Sequence, residues 1–140
     1  MKNYLIATAL TAAAYIAAAL GGWDAGLQTL VLFMGIDYVS GLAVAGFYKK
    51  SKHSVTGGLS SKCGFFGLAK KGMVLLIVLI AYRLDIVIGT DFARAGVIIA
   101  FIANELISIL ENASLMGIPI PAKLQKALDV INAEGHGSKK

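Results

Sequence analysis

The sequence predicts an all-α membrane protein of about four transmembrane helices, with both termini cytoplasmic and a short C-terminal amphipathic helix. Three observations carry this expectation. Of the 140 residues, 57% are hydrophobic and only 15% charged, against roughly a quarter charged in a soluble globular domain. The apolar residues come in blocks of span length, not at the helix or strand period of half-buried soluble elements. Finally, of the 13 basic residues, all but Arg83 and Arg94 lie in stretches flanking those blocks.

Crossing a bilayer core takes about 20 mostly apolar residues, and 17 suffice. Four segments meet this length. The first, 4–20, carries no charge and is rich in alanine, which suits close helix contact in lipid as well as plain filler. The second, 27–48, is interrupted only by Asp37. The third, 73–89, holds Arg83 and Asp85 near its far end, and the fourth, 92–110, holds Arg94, Asn104 and Glu105. Residues 1–118 thus form a transmembrane domain, with a basic loop at 49–72, and residues 119–140 a cytoplasmic helix and tail.

Lys and Arg in short loops stay on the cytoplasmic side. Lys49, Lys50, Lys52, Lys62, Lys70 and Lys71 all fall between the second and third spans, so that loop is expected inside. Counting crossings outward places Lys2 inside, and Lys123, Lys126, Lys139 and Lys140 inside as well. The other two loops hold no lysine and carry Asp24, Asp85 and Asp91. A cleaved signal peptide is the alternative for the first span, since Lys2 precedes an apolar run ending in Ala17, Ala18 and Ala19. The run from Tyr4 to Leu20 exceeds the usual apolar region of about 7 to 15 residues, which favours retention.

Polar residues within the spans are the candidate functional groups. An ionised Asp37 facing lipid would cost on the order of 3 kcal/mol, so it should face protein or water. Asp37, Gly41 and Ala45 recur every four residues and share a helical face, which makes them candidate contacts between helices. In the fourth span Asn104, Ser108 and Glu111 share a face, with Glu105 and Asn112 on the adjoining ridge. Such a face hydrogen-bonds across helices or lines a water-filled path. Arg83 with Asp85, and Arg94 with Asp91, sit close to the external end, and all four read as interfacial, since long basic side chains can snorkel to the headgroups there.

After the fourth span Pro119 and Pro121 end the helix. A short helix is expected from about Pro121 to Glu134, with Leu124, Leu128 and Ile131 on one side, lying on the inner leaflet or on the bundle. The formal net charge of +5 reflects topology and anionic headgroups. Nucleic acid is not an expected partner, because no basic stripe with interleaved aromatics is present. Cys63 is the one cysteine, His53 and His136 lack partners at metal-ligand spacing, and no nucleophile–base pair or phosphate loop stands out. Neither catalytic residues, nor a cofactor, nor a metal is expected.

Certain segments resemble a known family. These are Asp37-Tyr38-Val39-Ser40-Gly41, then the run from Ser60-Ser61-Lys62-Cys63-Gly64 through Ala69-Lys70-Lys71. The run from Ala103-Asn104-Glu105 through Glu111-Asn112-Ala113 follows, and then Gly117-Ile118-Pro119-Ile120-Pro121. In order and spacing they are similar to the phage lysis and toxin-secretion holins of Gram-positive bacteria, the phi29-like and clostridial toxin-release group. The first span is poorly covered.

The resemblance implies a homo-oligomer that accumulates in the host cytoplasmic membrane and opens lesions at a timed moment. Through them an endolysin or secreted toxin passes, without required direct contact. Asp37, Gly41, Ala45, Asn104, Glu105, Ser108 and Glu111 are then the expected oligomer or pore contacts. Lys49, Lys50, Lys62, Lys70 and Lys71 are expected to set topology and bind anionic headgroups. A small ion channel or transporter, and a non-conducting partner such as an antiholin or scaffold, are the competing functions.

Overall fold

A computed structural model of the chain describes residues 1–51 and 54–126, and all regular secondary structure among them is helical. Helix α1 spans Lys2–Ala19, α2 Ala25–Ala43, α3 Ser61–Ile88 and α4 Phe92–Leu115. A π-helical turn, Val44–Tyr48, continues α2 to Lys49, which adopts a left-handed conformation at φ 49°. The third helix begins at Ser61, so Lys62, Lys70 and Lys71 lie on α3 and not in a loop reaching to residue 72. Its start is explained by Ser60, whose side chain accepts from the Cys63 backbone N–H.

Two helices, Ala25–Tyr48 and Phe92–Leu115, are long and apolar enough to cross a membrane. The third is long enough but carries Lys70, Lys71, Arg83 and Asp85, and the first opens on Lys2 and Asn3. Helices α2 and α4 run parallel, with Gly26 against Ile98 at one end and Ser40 against Asn112 at the other. Helix α3 runs antiparallel to both, joined to α4 by a tight turn at Gly89. The core between them is apolar: Leu27, Leu30, Met34, Val78 and Ile98 are buried, with Val74, Leu79 and Phe101 packed around them. In lipid such a core contributes mainly close packing, since acyl chains are as apolar as leucine.

The outward faces are apolar too. Leu32, Val39, Leu76, Ile80, Val87 and Ile99 are all exposed, an arrangement suited to hydrocarbon and unsuited to water. Helix α1 stands apart from the other three, and its residues 1–16 are all exposed. Its hydroxyls are satisfied locally, Thr8 and Thr11 donating to the Tyr4 and Ala7 carbonyls. Only Leu20, just beyond its end, enters the core.

At the end where the α1–α2 and α3–α4 turns meet, two charged residues tie the chain together. Asp24 N-caps α2, accepting from Leu27 N–H at 2.9 Å. Arg94 of α4 reaches it at 2.5 Å and also donates to the Leu20 and Gly22 carbonyls. Gly21, at φ 91°, leaves the room: a Cβ there would collide with the Arg94 side chain and with Tyr82. Asp85 is 4% exposed and accepts from Thr90 Oγ1, Ala93 N–H and Arg94 N–H. It therefore caps α4 from α3, where Asp91 forms no side-chain cap of its own. Arg94 thus pairs with Asp24, and Asp85 is a buried cap because the freed N–H groups of α4 need an acceptor.

After α4 the chain turns at Gly117, φ 82°, and passes Pro119 and Pro121 to a helical stretch at 122–126. The rest of the expected amphipathic helix, with Leu128, Ile131 and Glu134, lies outside the described residues. So do Lys52, His53, His136, Lys139 and Lys140.

The Arg94 guanidinium and the Leu27 N–H hold the Asp24 carboxyl below its usual value of 3.8. A carboxyl depressed in the fold contributes stability that is complete above the unfolded-state value and lost as pH falls through the folded-state one. Asp24→Asn keeps the cap but drops the charge, so its destabilisation should be at most about 1 kcal/mol at neutral pH. The difference from wild type should be complete above about pH 5 and shrink as pH falls past 3.8, disappearing only below the depressed folded-state value, as read by unfolding midpoints in detergent.

Candidate functional site: a polar cleft at the seam of three helices

Toward the opposite end of the bundle, where the basic connector joins α2 to α3, the apolar seam gives way to a cleft of about 630 Å³. It is walled by α2, α3 and α4, and Gly58, Leu59 and Ser60 of the connector lie along it. The connector folds back on itself through Ser51 N–H donating to the Gly57 carbonyl at 2.9 Å. Apolar walls come from Leu42, Phe66, Val74 and Leu115, and every expected oligomer or pore residue lines the same space. Asp37, Gly41 and Ala45 arrive from α2, and Asn104, Glu105, Ser108 and Glu111 from α4.

The chemical centre is Lys71. Its Nζ donates to Asp37 Oδ2 at 2.8 Å and to Glu105 Oε2 at 2.5 Å. One cation from α3 therefore joins one carboxylate from each of its neighbours. All three side chains are mostly withdrawn from the surface, at 14% for Lys71, 17% for Asp37 and 7% for Glu105. The other oxygen of Asp37 accepts from Asn112 Nδ2 at 3.2 Å, and that amide also donates to Ser40 Oγ at 2.9 Å. No buried side-chain polar atom among the described residues lacks a partner.

The stripe Asp37–Gly41–Ala45 is used within the chain. Gly41 faces the Asn112 amide, and Ala45 is 7% exposed. Tyr38, next to Asp37, lies over Gly64 and Gly67 of α3, whose missing side chains let the ring in. On α4, Glu105 points inward while Asn104 is exposed at the cleft's edge. Lys71 was expected among the lipid-binding lysines. It is instead engaged by two carboxylates, because α3 is already helical at residue 71 and turns that side chain into the seam. Lys49, Lys50, Lys62 and Lys70 are exposed.

The spacing within α4 identified its polar ridge, including Asn112, and the cost of a charge in lipid identified Asp37 as inward-facing. Neither Lys71 as their counter-ion nor Ser40 as the partner of Asn112 was signalled, because both pairings join residues on different helices. The Arg94–Asp24 pair and the Asp85 cap of α4 were not signalled for the same reason.

A model of the bacteriophage holin family matches residues 14–133. The chain belongs to the bacteriophage holin family. Membership of this non-enzymatic family, together with two helices of spanning length, points to a membrane protein. An uncharacterized protein of Listeria monocytogenes is 41% identical over 115 residues, 81% of this chain and 76% of the relative. One from Halalkalibacterium halodurans is 32% identical over 140 residues, 96% of this chain and 98% of the relative. A protein of Bacillus phage phi105 named a probable holin is 28% identical over 109 residues, covering 77% of this chain and 75% of the phage protein. No solved structure matches.

For a holin chain in lipid, the Lys71 cluster has a direct energetic consequence. Lys71→Met leaves two carboxylates facing each other without their cation and should destabilise the bundle by about 3 kcal/mol or more. Adding Asp37→Asn and Glu105→Gln to that variant removes the uncompensated charge and should recover most of the loss. Unfolding of purified protein in detergent measures both.

Proposed function

We propose that this protein acts as a holin in the cytoplasmic membrane of a bacterial host, where copies associate and open lesions that release an endolysin or a toxin. It lies in the membrane with four spans and both termini cytoplasmic, and α1 and α3 supply the two crossings beyond α2 and α4. The lysines support this orientation, since Lys49, Lys50, Lys62 and Lys70 cluster at the end of the bundle opposite Asp24 and Asp91. Endolysin or toxin need not touch the holin, because passage through a lesion requires no specific contact.

The observation that carries the proposal is the Lys71–Asp37–Glu105 cluster beside an open cleft, in a bundle whose other faces are apolar. In the single copy Lys71 offsets one of the two carboxylate charges and hydrogen-bonds to both, so the charged groups are held inside the chain and away from lipid. The same groups are costly to expose to hydrocarbon. They therefore favour any assembly that moves them from contacts within one chain to a water-lined rim between chains.

Inducible expression in a bacterium, with dye entry and a potential-sensitive probe recorded together, tests the function. Loss of potential with non-selective dye entry is the expected result. Flux of one solute alone points to a channel or transporter, and absence of permeabilisation to an antiholin or scaffold. Asp37→Asn, Glu105→Gln and Glu111→Gln should each shift the onset of lysis; unchanged onset and oligomer size in all three removes the switching role. Reversing Lys49, Lys50, Lys62 and Lys70 to Glu discards about 1 kcal/mol of headgroup attraction per lysine. Labelling of Cys63 from the cell exterior should then rise above that of wild type.

A further inference from the structure

We infer that the outward face of α4 centred on Asn104 is where a second copy of this chain docks. The inference rests on the self-association proposed above and gives it a surface. Asn104 and Glu105 are adjacent, but one helical step of about 100° separates their directions. Glu105 points at Lys71 and is 6% exposed. Asn104 is exposed, and its carboxamide forms no hydrogen bond among the described residues.

Asn104 lies at the middle of a helix of 24 residues. Each end is about 18 Å away at about 1.5 Å per residue, far beyond the reach of an asparagine side chain. At that depth, on the lip of the cleft and with no partner among the described residues of its own chain, the carboxamide has an outer side that meets hydrocarbon and receives no hydrogen bond there. One and two turns earlier on the same stripe stand Ala100 and Gly96, both exposed. Nothing of the chain lies within 4 Å of where a Gly96 Cβ would stand. Internal packing therefore gives no reason for glycine there, despite its cost to a helix of about 1 kcal/mol. A second helix can approach closely over Gly96 and Ala100.

The occupant follows from the chemistry of the carboxamide, which both donates and accepts. An identical carboxamide satisfies both functions, and an acyl chain satisfies neither. Copies inserted with the same orientation place their Asn104 residues at the same depth, so two α4 helices packed in parallel bring the amides together. The contact also adjoins the polar cleft, because Asn104 lies on its edge. Association there sets the Lys71 cluster beside the interface.

The test uses the full-length chain in membranes with Cys63→Ser as background. A cysteine placed by Ala100→Cys should cross-link between copies, whereas one placed by Ile80→Cys on the exposed face of α3 should do so at least about fivefold less. Asn104→Leu should weaken the Ala100→Cys cross-link about three- to tenfold, and Asn104→Gln should preserve it. Leucine suits a lipid-facing position, and equal membrane-fraction yield verifies that the variant inserts. Equal cross-linking from both cysteine positions overturns the docking surface, as does an Asn104→Leu variant that cross-links like its parent. If either occurs while the wild-type chain still permeabilises cells, the holin reading stands and only the surface falls. A wild-type chain that neither self-associates nor permeabilises overturns both.

Discussion

A charge inside a bilayer must bring its own solvent. Lys71 does this for two carboxylates at once, and the arrangement of α2, α3 and α4 follows from it. Asp37 and Glu105 could not both turn inward without a cation between them, and α3 supplies it. Once these three side chains meet, α2 and α4 are held parallel with α3 alongside, and Tyr38 falls against Gly64 and Gly67. The apolar core further along the seam contributes packing, but leucine against leucine is little better than leucine against lipid. Specificity in such a bundle therefore comes from its polar pairs and its small residues.

The two ends of the bundle solve the same problem differently. Near the turns, Asp85 and Asp24 accept from backbone N–H groups at helix starts, and Arg94 covers the carbonyls left at the end of α1. Those charges satisfy the backbone, whose groups have no intrahelical partner at helix termini. Near the cleft the charges satisfy one another, across three helices and beside an opening. The first arrangement is local and fixes the turns. The second joins segments distant in sequence and lies beside an open cleft.

Much of this was legible along the chain. The long apolar runs, the inward direction of Asp37 and the polar ridge of α4 all follow from local composition and helical period, while α4 ends at Leu115, ahead of Pro119. The start of α3 at Ser61 was less legible, because Lys62, Lys70 and Lys71 make that stretch read as a basic loop. A serine cap and a helix rich in glycine and lysine are weak signals beside six lysines between two apolar runs. Lys71 was misjudged for that reason, grouped with its exposed neighbour Lys70 although one helical step separates their directions.

The sequence by itself determined the solvent of this protein: apolar blocks flanked by lysines belong in a bilayer, since neither their length nor their composition suits water. It also determined which polar residues needed an explanation, because burying a charge in hydrocarbon is costly wherever the chain folds. Only the tertiary structure decided the partners. That Lys71 answers Asp37 and Glu105, that Asp85 caps α4, and that Arg94 chooses Asp24 over Asp91 depend on how helices far apart in sequence lie side by side. Helical period sets the face a residue occupies on its own helix, but carries no information about which face of another helix it will meet.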